Sequence, residues 1–489
     1  MAPVTSSPRQ LPTKLFINNE HVESRTSKYL SVYNPKDNSL VSDRVPVAGQ
    51  EDVDAAVTAA EAAFPTWKAL TELERRTILT NFASLVEKNT VMLAELTRLT
   101  MGAPYKAFGE FETGLFAEAF RYYAGWIDKF TGQSYPANDG FLKITRHEPL
   151  GVTAGIVPWN GPLALAGMKA APALATGNCF ILKPSEKTPF AALALGDLIK
   201  EAGFPAGVFQ VLPGDGSTGA LLARHMKIRK ISFTGSVPTG KLIQKMAAES
   251  NLKRVTLELG GKSPAVIFED CNLDNAVTWC VNALAINSGQ ICFAATRIYV
   301  QESIQAEFTA RYKAALEQRG QSIGDPDHDS TTMGPLADEA QFNRVTGFIE
   351  RGTKSGSLVT GGKRVGTTGW FLEPTVFSGV PQDAEIYQQE VFGPVSIINT
   401  FQTEEEVIKK ANATEYGLMA GVFTQDINKA LRVATEFDSG MVGVNCISRY
   451  FLSAPFGGSK QSGLGRECGK QALEHYTETK TVFVNLTYN

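Results

Sequence analysis

The chain has 489 residues, 43% hydrophobic and 20% charged, with a formal charge of −3. That length is too great for one hydrophobic core. The near-neutral charge gives no electrostatic reason for a nucleic-acid partner, and the short, interrupted apolar runs give no membrane span.

Met1 to Leu15 lacks the apolar stretch of a secretory signal. The absence of acids before Glu20 leaves a mitochondrial presequence as a weaker alternative to a cytoplasmic protein. Six cysteines without a pairing pattern fit a reducing compartment. With no C-x-x-C pair and only five scattered histidines, no metal site is expected.

In chain order, the alanine-rich stretch 53–63 reads as helix. Residues 74–97 continue helical, with Leu79, Phe82, Leu85 and Val86 on one face. Residues 126–150 interrupt that pattern. A β-α rhythm follows: strands at Val152–Val157, Cys179–Leu182, Val208–Leu212 and Lys230–Phe233, with helices over Pro162–Ala175 and up to Lys200. A second series runs through Pro264–Phe268, Arg297–Val300, Val395–Ile398 and Gly443–Asn445, and Lys480–Val484 ends the chain as a strand. This rhythm predicts an α/β fold with a doubly wound parallel sheet and a second α/β region. The segment 126–150 and the last strand are edge candidates, and an exposed edge invites pairing with another subunit or with the chain's own sheet.

Cys292 stands in Ser288-Gly289-Gln290-Ile291-Cys292-Phe293-Ala294-Ala295, where small residues allow close approach to a thiol. A lone cysteine is more often a small buried hydrophobe than a nucleophile. Glu258, in Glu258-Leu259-Gly260-Gly261-Lys262, supplies a candidate general base. Two glycine loops follow successive strands. Gly214-Asp215-Gly216-Ser217-Thr218-Gly219 fits G-x-G-x-x-G. Gly235-Ser236-Val237-Pro238-Thr239-Gly240-Lys241 fits a Walker A loop until Leu242 replaces the magnesium-binding Ser or Thr, which disfavours a nucleotide triphosphatase. Both read as amides facing a diphosphate or as ordinary turns. Lys183-Pro184-Ser185-Glu186 closes a strand where doubly wound folds bind ligands. A carboxylate at Glu186 suits ribose hydroxyls and repels a 2′-phosphate, so NAD is expected over NADP.

Pro158-Trp159-Asn160, Lys183-Pro184-Ser185-Glu186, Phe233-Thr234-Gly235-Ser236, the Glu258 motif and Gly289-Gln290-Ile291-Cys292 occur in the order and spacing of the aldehyde dehydrogenase superfamily. Glu390-Val391-Phe392-Gly393-Pro394 and Pro455-Phe456-Gly457-Gly458-Ser459-Lys460 extend the resemblance to nearly the whole chain. It implies a Rossmann-type cofactor domain (1–130 and 150–261), a catalytic domain (262–461) and an oligomerisation arm with the C-terminal strand (131–149 and 462–489). Homodimers or homotetramers are the family norm. By the same resemblance Cys292 is the nucleophile, Asn160 an oxyanion donor and Glu258 the base for hydrolysis. Glu258 also argues against acyl transfer to coenzyme A. Lys169 and Glu467 match positions near the reaction centre, Glu467 being either a proton-relay acid or a salt-bridged surface residue. Trp159, Lys183, Ser185, Glu186, Gly216, Gly235, Ser236, Gly240, Leu259, Gly260, Arg344, Glu390 and Phe392 match the surroundings of NAD. Arg344 stands where many members carry lysine.

The resemblance places Gly161, Ala164, Leu165, Met168, Ile291, Phe293, Arg449, Tyr450 and Phe456 along the substrate tunnel. Gly161 and Met168 replace aromatic residues that narrow it in members with small substrates. An aromatic or medium-chain apolar aldehyde is expected. A semialdehyde is the alternative, with Arg449 as its only cation. A second alternative, a catalytically silent relative, is opposed by the intact Cys292, Glu258 and Asn160.

Overall fold

The computed structural model describes residues 11–487, so the presequence reading lies largely outside the described residues. An eight-stranded sheet runs, edge to edge, through Gly463–Leu464, Arg254–Glu258, Ile228–Thr234, Val152–Ile156, Cys179–Lys183, Phe209–Val211, Leu15–Ile17 and Glu20–Val22. Its five central strands are parallel. From Val152–Ile156 the chain builds outward through Cys179–Lys183 and Phe209–Val211. It then crosses back to lay Ile228–Thr234 on the opposite side. That reversal opens a crevice at the carboxyl ends of Val152–Ile156 and Ile228–Thr234, where doubly wound sheets bind ligands.

A seven-stranded sheet has the order Ser357–Thr360, Thr375–Ser378, Val395–Phe401, Ala295–Gln301, Ser263–Ile267, Met419–Phe423 and Met441–Val444, parallel except for its first pair. Val152–Ile156, Cys179–Lys183, Ser263–Ile267 and Met419–Phe423 are buried throughout, as sheets covered on both faces require. Residues 259–262 join the two sheets, so Glu258 ends the first at the seam. Cys292 lies just before Ala295–Gln301 of the second.

Thr477–Asn485 pairs antiparallel with Phe141–Pro149, which also pairs with Ser134–Tyr135, forming a separate arm. Gly463–Leu464, grouped with the arm from sequence, instead pairs with Arg254–Glu258 of the first sheet. The single helix expected over 74–97 is two, Glu72–Lys88 and Thr90–Met101. Asn89 separates them. Its side chain donates to the Leu85 carbonyl at 2.8 Å, and an amide side chain competing for backbone groups breaks a helix without any proline.

The helix Glu110–Ala124 packs Phe116 and Phe120 against Phe82, with ring centroids 5.7 and 4.8 Å apart, which fixes its rotation. Its neighbour Pro162–Ala175 approaches closely at Gly167, where an added Cβ would lie 3.0 Å from the Phe116 Cα. Phe111 and Leu115 thereby face the seam between the sheets.

Candidate active site

Two cavities meet at Cys292. One, about 170 Å³, is lined by all nine residues read as the tunnel; the other, about 470 Å³, lies over the crevice of the first sheet. Asn160, Leu165 and Cys292 border both.

The Cys292 loop is held in an unusual backbone. Asn287, Ser288 and Gly289 are successively left-handed, with φ of 49°, 52° and 72°. Left-handed non-glycine residues cost about 1–3 kcal/mol each and persist only when held from outside. The holding contacts are Ser288 Oγ donating to the Gly334 carbonyl at 2.6 Å and the Ala337 amide donating to Gln290 Oε1 at 2.9 Å. Gly289 admits no side chain, because a Cβ would sit 2.2 Å from the Gly393 carbonyl. The Asn160 amide nitrogen donates to the Gln290 carbonyl at 3.0 Å, leaving its second hydrogen for the cavity beside the sulfur.

Cys292 is half-buried and lines both cavities. Even so, burial, then the Glu258 carboxyl, push the thiol well above its usual range. Glu258 is 1% exposed, and neither carboxyl oxygen receives a well-formed hydrogen bond from protein. Burial, then the charge of Glu467, raises it to about 8, and the facing Cys292 thiol offsets part of that. A carboxyl that titrates near neutrality beside a thiol is suited to general base work.

The paired glycines after Glu258 have separate reasons. A Cβ on Gly260 would meet Glu390 Oε2 at 2.2 Å; one on Gly261 would meet the Cys292 carbonyl at 2.3 Å. The Gly261 amide donates to Glu390 Oε1 at 3.0 Å. Arg344 donates to the Glu390 carbonyl at 2.7 Å and lies over the Phe348 ring, which settles its placement. Phe392, left-handed at φ 60°, sets its ring edge-on to Trp159 with centroids 5.4 Å apart.

Trp159, Gly235, Ser236, Gly260, Arg344, Glu390 and Phe392 line the larger cavity. Ser236 starts the helix Val237–Ser250 without a side-chain cap, so its first-turn amides, apart from Pro238, which has no N–H, are open to an anion. The other glycine loop differs. Asp215 caps the helix Gly216–Arg224 by accepting from the Ser217 amide at 2.8 Å, placing an acid where a phosphate would go, and Gly216 lies outside the cavity. Gly240 packs on Leu259 behind the wall. Lys183, Ser185 and Glu186 gather at and just beyond the end of the strand Cys179–Lys183. Burial lowers the Lys183 amine to about 8, and Glu186 is exposed. An open helix N-terminus, an acid held over a glycine and two facing aromatic rings form a cradle that fits a dinucleotide.

Lys169 is fully buried. It donates to Thr234 Oγ1 at 2.7 Å and pairs with Glu467, which also accepts from Ser232 Oγ at 3.1 Å. Glu467 is therefore an interior group and not a surface one.

The tunnel's polar exceptions are informative. Phe293, Tyr450 and Phe456 form a three-ring wall with centroids 5.2 to 5.8 Å apart. Arg449 is exposed, over the Phe451 ring. Sequence reasoning missed Phe108, Phe111, Glu112, Leu115 and Leu452, which line the same cavity. Glu112 accepts from the Leu163 and Ala164 amides at 2.6 and 3.3 Å, capping the helix Pro162–Ala175, whose N-cap residue, Gly161, has no side chain. Burial raises Glu112 to about 7. Its only signal was an acid one turn before Phe116 on an apolar face.

A sequence profile of the aldehyde dehydrogenase family matches residues 21–482. The chain belongs to the aldehyde dehydrogenase family. It is 46% identical to human retinal dehydrogenase 2 over 480 residues, covering 97% of this chain and 92% of that one. The NAD+ complex of the Bacillus cereus aldehyde dehydrogenase superposes with a TM-score of 0.94 at 41% identity, covering 98% of this chain and 97% of that one. The P. syringae indole-3-acetaldehyde dehydrogenase, solved with NAD+ and IAA, gives 0.95 at 38% identity, with the same coverage. The protein is thus an NAD-dependent enzyme that oxidises aldehydes, on the mixed α/β fold of its family. No helix among the described residues is long and apolar enough to cross a membrane.

Proposed function

We propose that the enzyme oxidises aromatic or medium-chain apolar aldehydes to free carboxylic acids through a covalent thioester on Cys292, using NAD in preference to NADP. The observation that carries this reading is the meeting of the two cavities at one thiol, with Glu258 on one side and the Asn160 amide on the other.

The sulfur attacks the aldehyde carbon, and the thiol proton passes to Glu258. The Asn160 amide and the Cys292 N–H donate to the new oxyanion. The hydride that leaves the carbon needs an acceptor, which bound NAD would supply. Once it has released the thiol proton to solvent, Glu258 takes a proton from water as the water oxygen adds to the thioester; the thiolate then departs, recovers a proton from Glu258, and the acid is released. Glu390, anchored by the Gly261 amide, would hold the nicotinamide ribose. Phe392 and Trp159 would wall the ring, and the Val237–Ser250 helix would receive the pyrophosphate. The exposed Glu186 carboxylate supports NAD, because a 2′-phosphate beside it would be repelled.

Substrate size follows from the tunnel. Apolar cavities of roughly 150 Å³ hold a benzene ring, close to the space beside Cys292. The relatives named for retinal and indole-3-acetaldehyde support apolar substrates. Met168 and Ile286 leave no buried cation for a semialdehyde carboxylate. NADH formation over an aldehyde panel, with NAD or NADP and with or without coenzyme A, tests the reading. Benzaldehyde with NAD alone is expected to turn over, and a requirement for coenzyme A or a preference for NADP would contradict it. A Cβ added at Gly161 would make ordinary contact with Leu165 alone, 3.5 Å from its Cδ1, so a side chain is tolerated there and would enter the tunnel. Gly161→Phe is expected to lower kcat/KM for benzaldehyde by about tenfold to a hundredfold while sparing acetaldehyde. Equal losses for both would contradict the tunnel assignment.

The arm supports a homo-oligomer. Phe483, Val484, Tyr135 and Phe141 are exposed along it, more apolar surface than a free two-faced ribbon tolerates. Phe483→Asp is expected to lower the molar mass in light scattering by at least half; an unchanged mass would contradict this role.

A further inference from the structure

Glu112 is more than its helix requires. The helix Pro162–Ala175 starts from Gly161, so its first amides need an acceptor from elsewhere in the chain. Glu112 Oε1 supplies one to both the Leu163 and the Ala164 amide. One oxygen completes that task, and the neutral carbonyl of a glutamine would complete it as well. The chain instead places a carboxyl there, 1% exposed, and its second oxygen is buried without a hydrogen bond from protein. A buried acceptor left unpaired destabilises the fold, and neither the cap nor the packing gives a reason for it.

Its position supplies the reason. Glu112 borders the tunnel cavity and not the cofactor cavity. The tunnel's other polar side chains have partners or face solvent. Asn160 donates to the Gln290 carbonyl, Ser448 Oγ donates to the Phe293 carbonyl at 2.7 Å, and Arg449 is exposed over the Phe451 ring. The Tyr450 ring packs on those of Phe293 and Phe456. Among the described side chains that line the tunnel, Glu112 Oε2 is the one buried polar atom without a partner. With Oε1 turned to the helix end, Oε2 is the oxygen left for whatever fills the cavity.

We propose that Glu112 Oε2 is a substrate-binding acceptor, and that the preferred substrates are aromatic aldehydes bearing a small hydroxyl substituent that donates to it; this rests on the reading above that aldehydes reach Cys292 through this tunnel. The cavity sets the substituent's size. A benzene ring takes roughly 150 Å³ of the 170 Å³ present, which leaves room for a group of one or two heavy atoms. Chemistry sets its type. A hydroxyl donating to a carboxylate forms a charge-assisted hydrogen bond and keeps its proton. An ammonium group would lose its water among Phe111, Leu115 and Phe293 at high cost, and Arg449 on the same lining would repel it. The hydroxyl pairs an oxygen that the free enzyme leaves bare, so the gain is confined to substrates that carry a donor.

Hydroxymethyl and ethyl groups are nearly equal in size, and only the first donates a hydrogen bond. Benzaldehydes carrying either group at ring position 3 or 4 therefore isolate the donor. The assay is NADH formation at about pH 8.5, where the carboxylate prevails, because burial raises Glu112 to about 7 against the two amides. The parent is expected to favour the hydroxymethyl over the ethyl compound in kcat/KM by about tenfold to a hundredfold at one ring position or both. Glu112→Gln keeps the cap, since its side-chain carbonyl takes the two amides and its NH2 replaces Oε2. That variant is expected to retain the parent's kcat/KM for the ethyl compound within about threefold and to lose most of the preference. Glu112→Leu is expected to lose the preference entirely. A parent that does not distinguish the two compounds at either position would overturn the proposal. So would a Gln variant that slows on both equally, the mark of a helix cap and nothing more. A parent that turns over neither these compounds nor benzaldehyde would instead overturn the tunnel reading.

Discussion

Cys292→Ala is expected to abolish aldehyde oxidation, with kcat down by roughly 10⁴-fold or more, because a covalent route disappears when its nucleophile does. NAD affinity, read by NADH fluorescence, is expected to change little, since the cradle of Gly260, Glu390 and Phe392 does not use the sulfur. Five other cysteines provide an internal control. Cys179, Cys280 and Cys468 are buried, with thiols raised by burial alone or chiefly so, and none borders either cavity. Cys292 is raised too, so its labelling by iodoacetamide in the free enzyme is expected to be slow at neutral pH and to quicken as pH rises. Labelling that located to Cys271 or Cys446 while activity was lost would contradict the assignment.

Glu258→Gln carries the second large effect. It is expected to cut kcat by about 10²- to 10³-fold while single-turnover NADH formation survives in part, because hydride transfer precedes the water step. The sign of the pH dependence follows from burial. With its carboxyl raised to about 8, Glu258 is largely protonated at pH 6 and unable to act as a base. Parent kcat is therefore expected to climb from pH 6 and level off above about 8, and the Gln variant to lose that limb. An identical pH profile in both proteins would contradict the base assignment.

The motifs carried the reaction centre because its residues lie in short, punctuated segments. Glycines mark close approaches, and here each has a measurable reason: Gly289 against the Gly393 carbonyl, Gly261 against that of Cys292 and Gly260 against Glu390. The second glycine loop looked like the first in sequence, yet the Asp215 cap distinguishes them, and a cap depends on side-chain direction that spacing does not encode. The tunnel was half legible. Gly161, Met168 and the Tyr450 wall belong to motifs, whereas Phe111 and Leu115 sit on a helix whose apolar pattern reads as ordinary core, and Phe108 in the turn just before it. Glu467 could be read either way because burial in the short segment after Gly463–Leu464 has no local signature. The break at Asn89 was hidden by good helix formers on both sides.

The proposed chemistry turns on a thioester borne by Cys292 and cleared by Glu258. Glu258→Gln mixed with NAD and benzaldehyde, quenched and examined by intact-mass and peptide mass spectrometry, tests it most directly. One benzoyl group per subunit on the Cys292 peptide, absent when NAD is omitted, is the result expected. NADH formed with no acyl adduct, or an adduct on another residue, would contradict it.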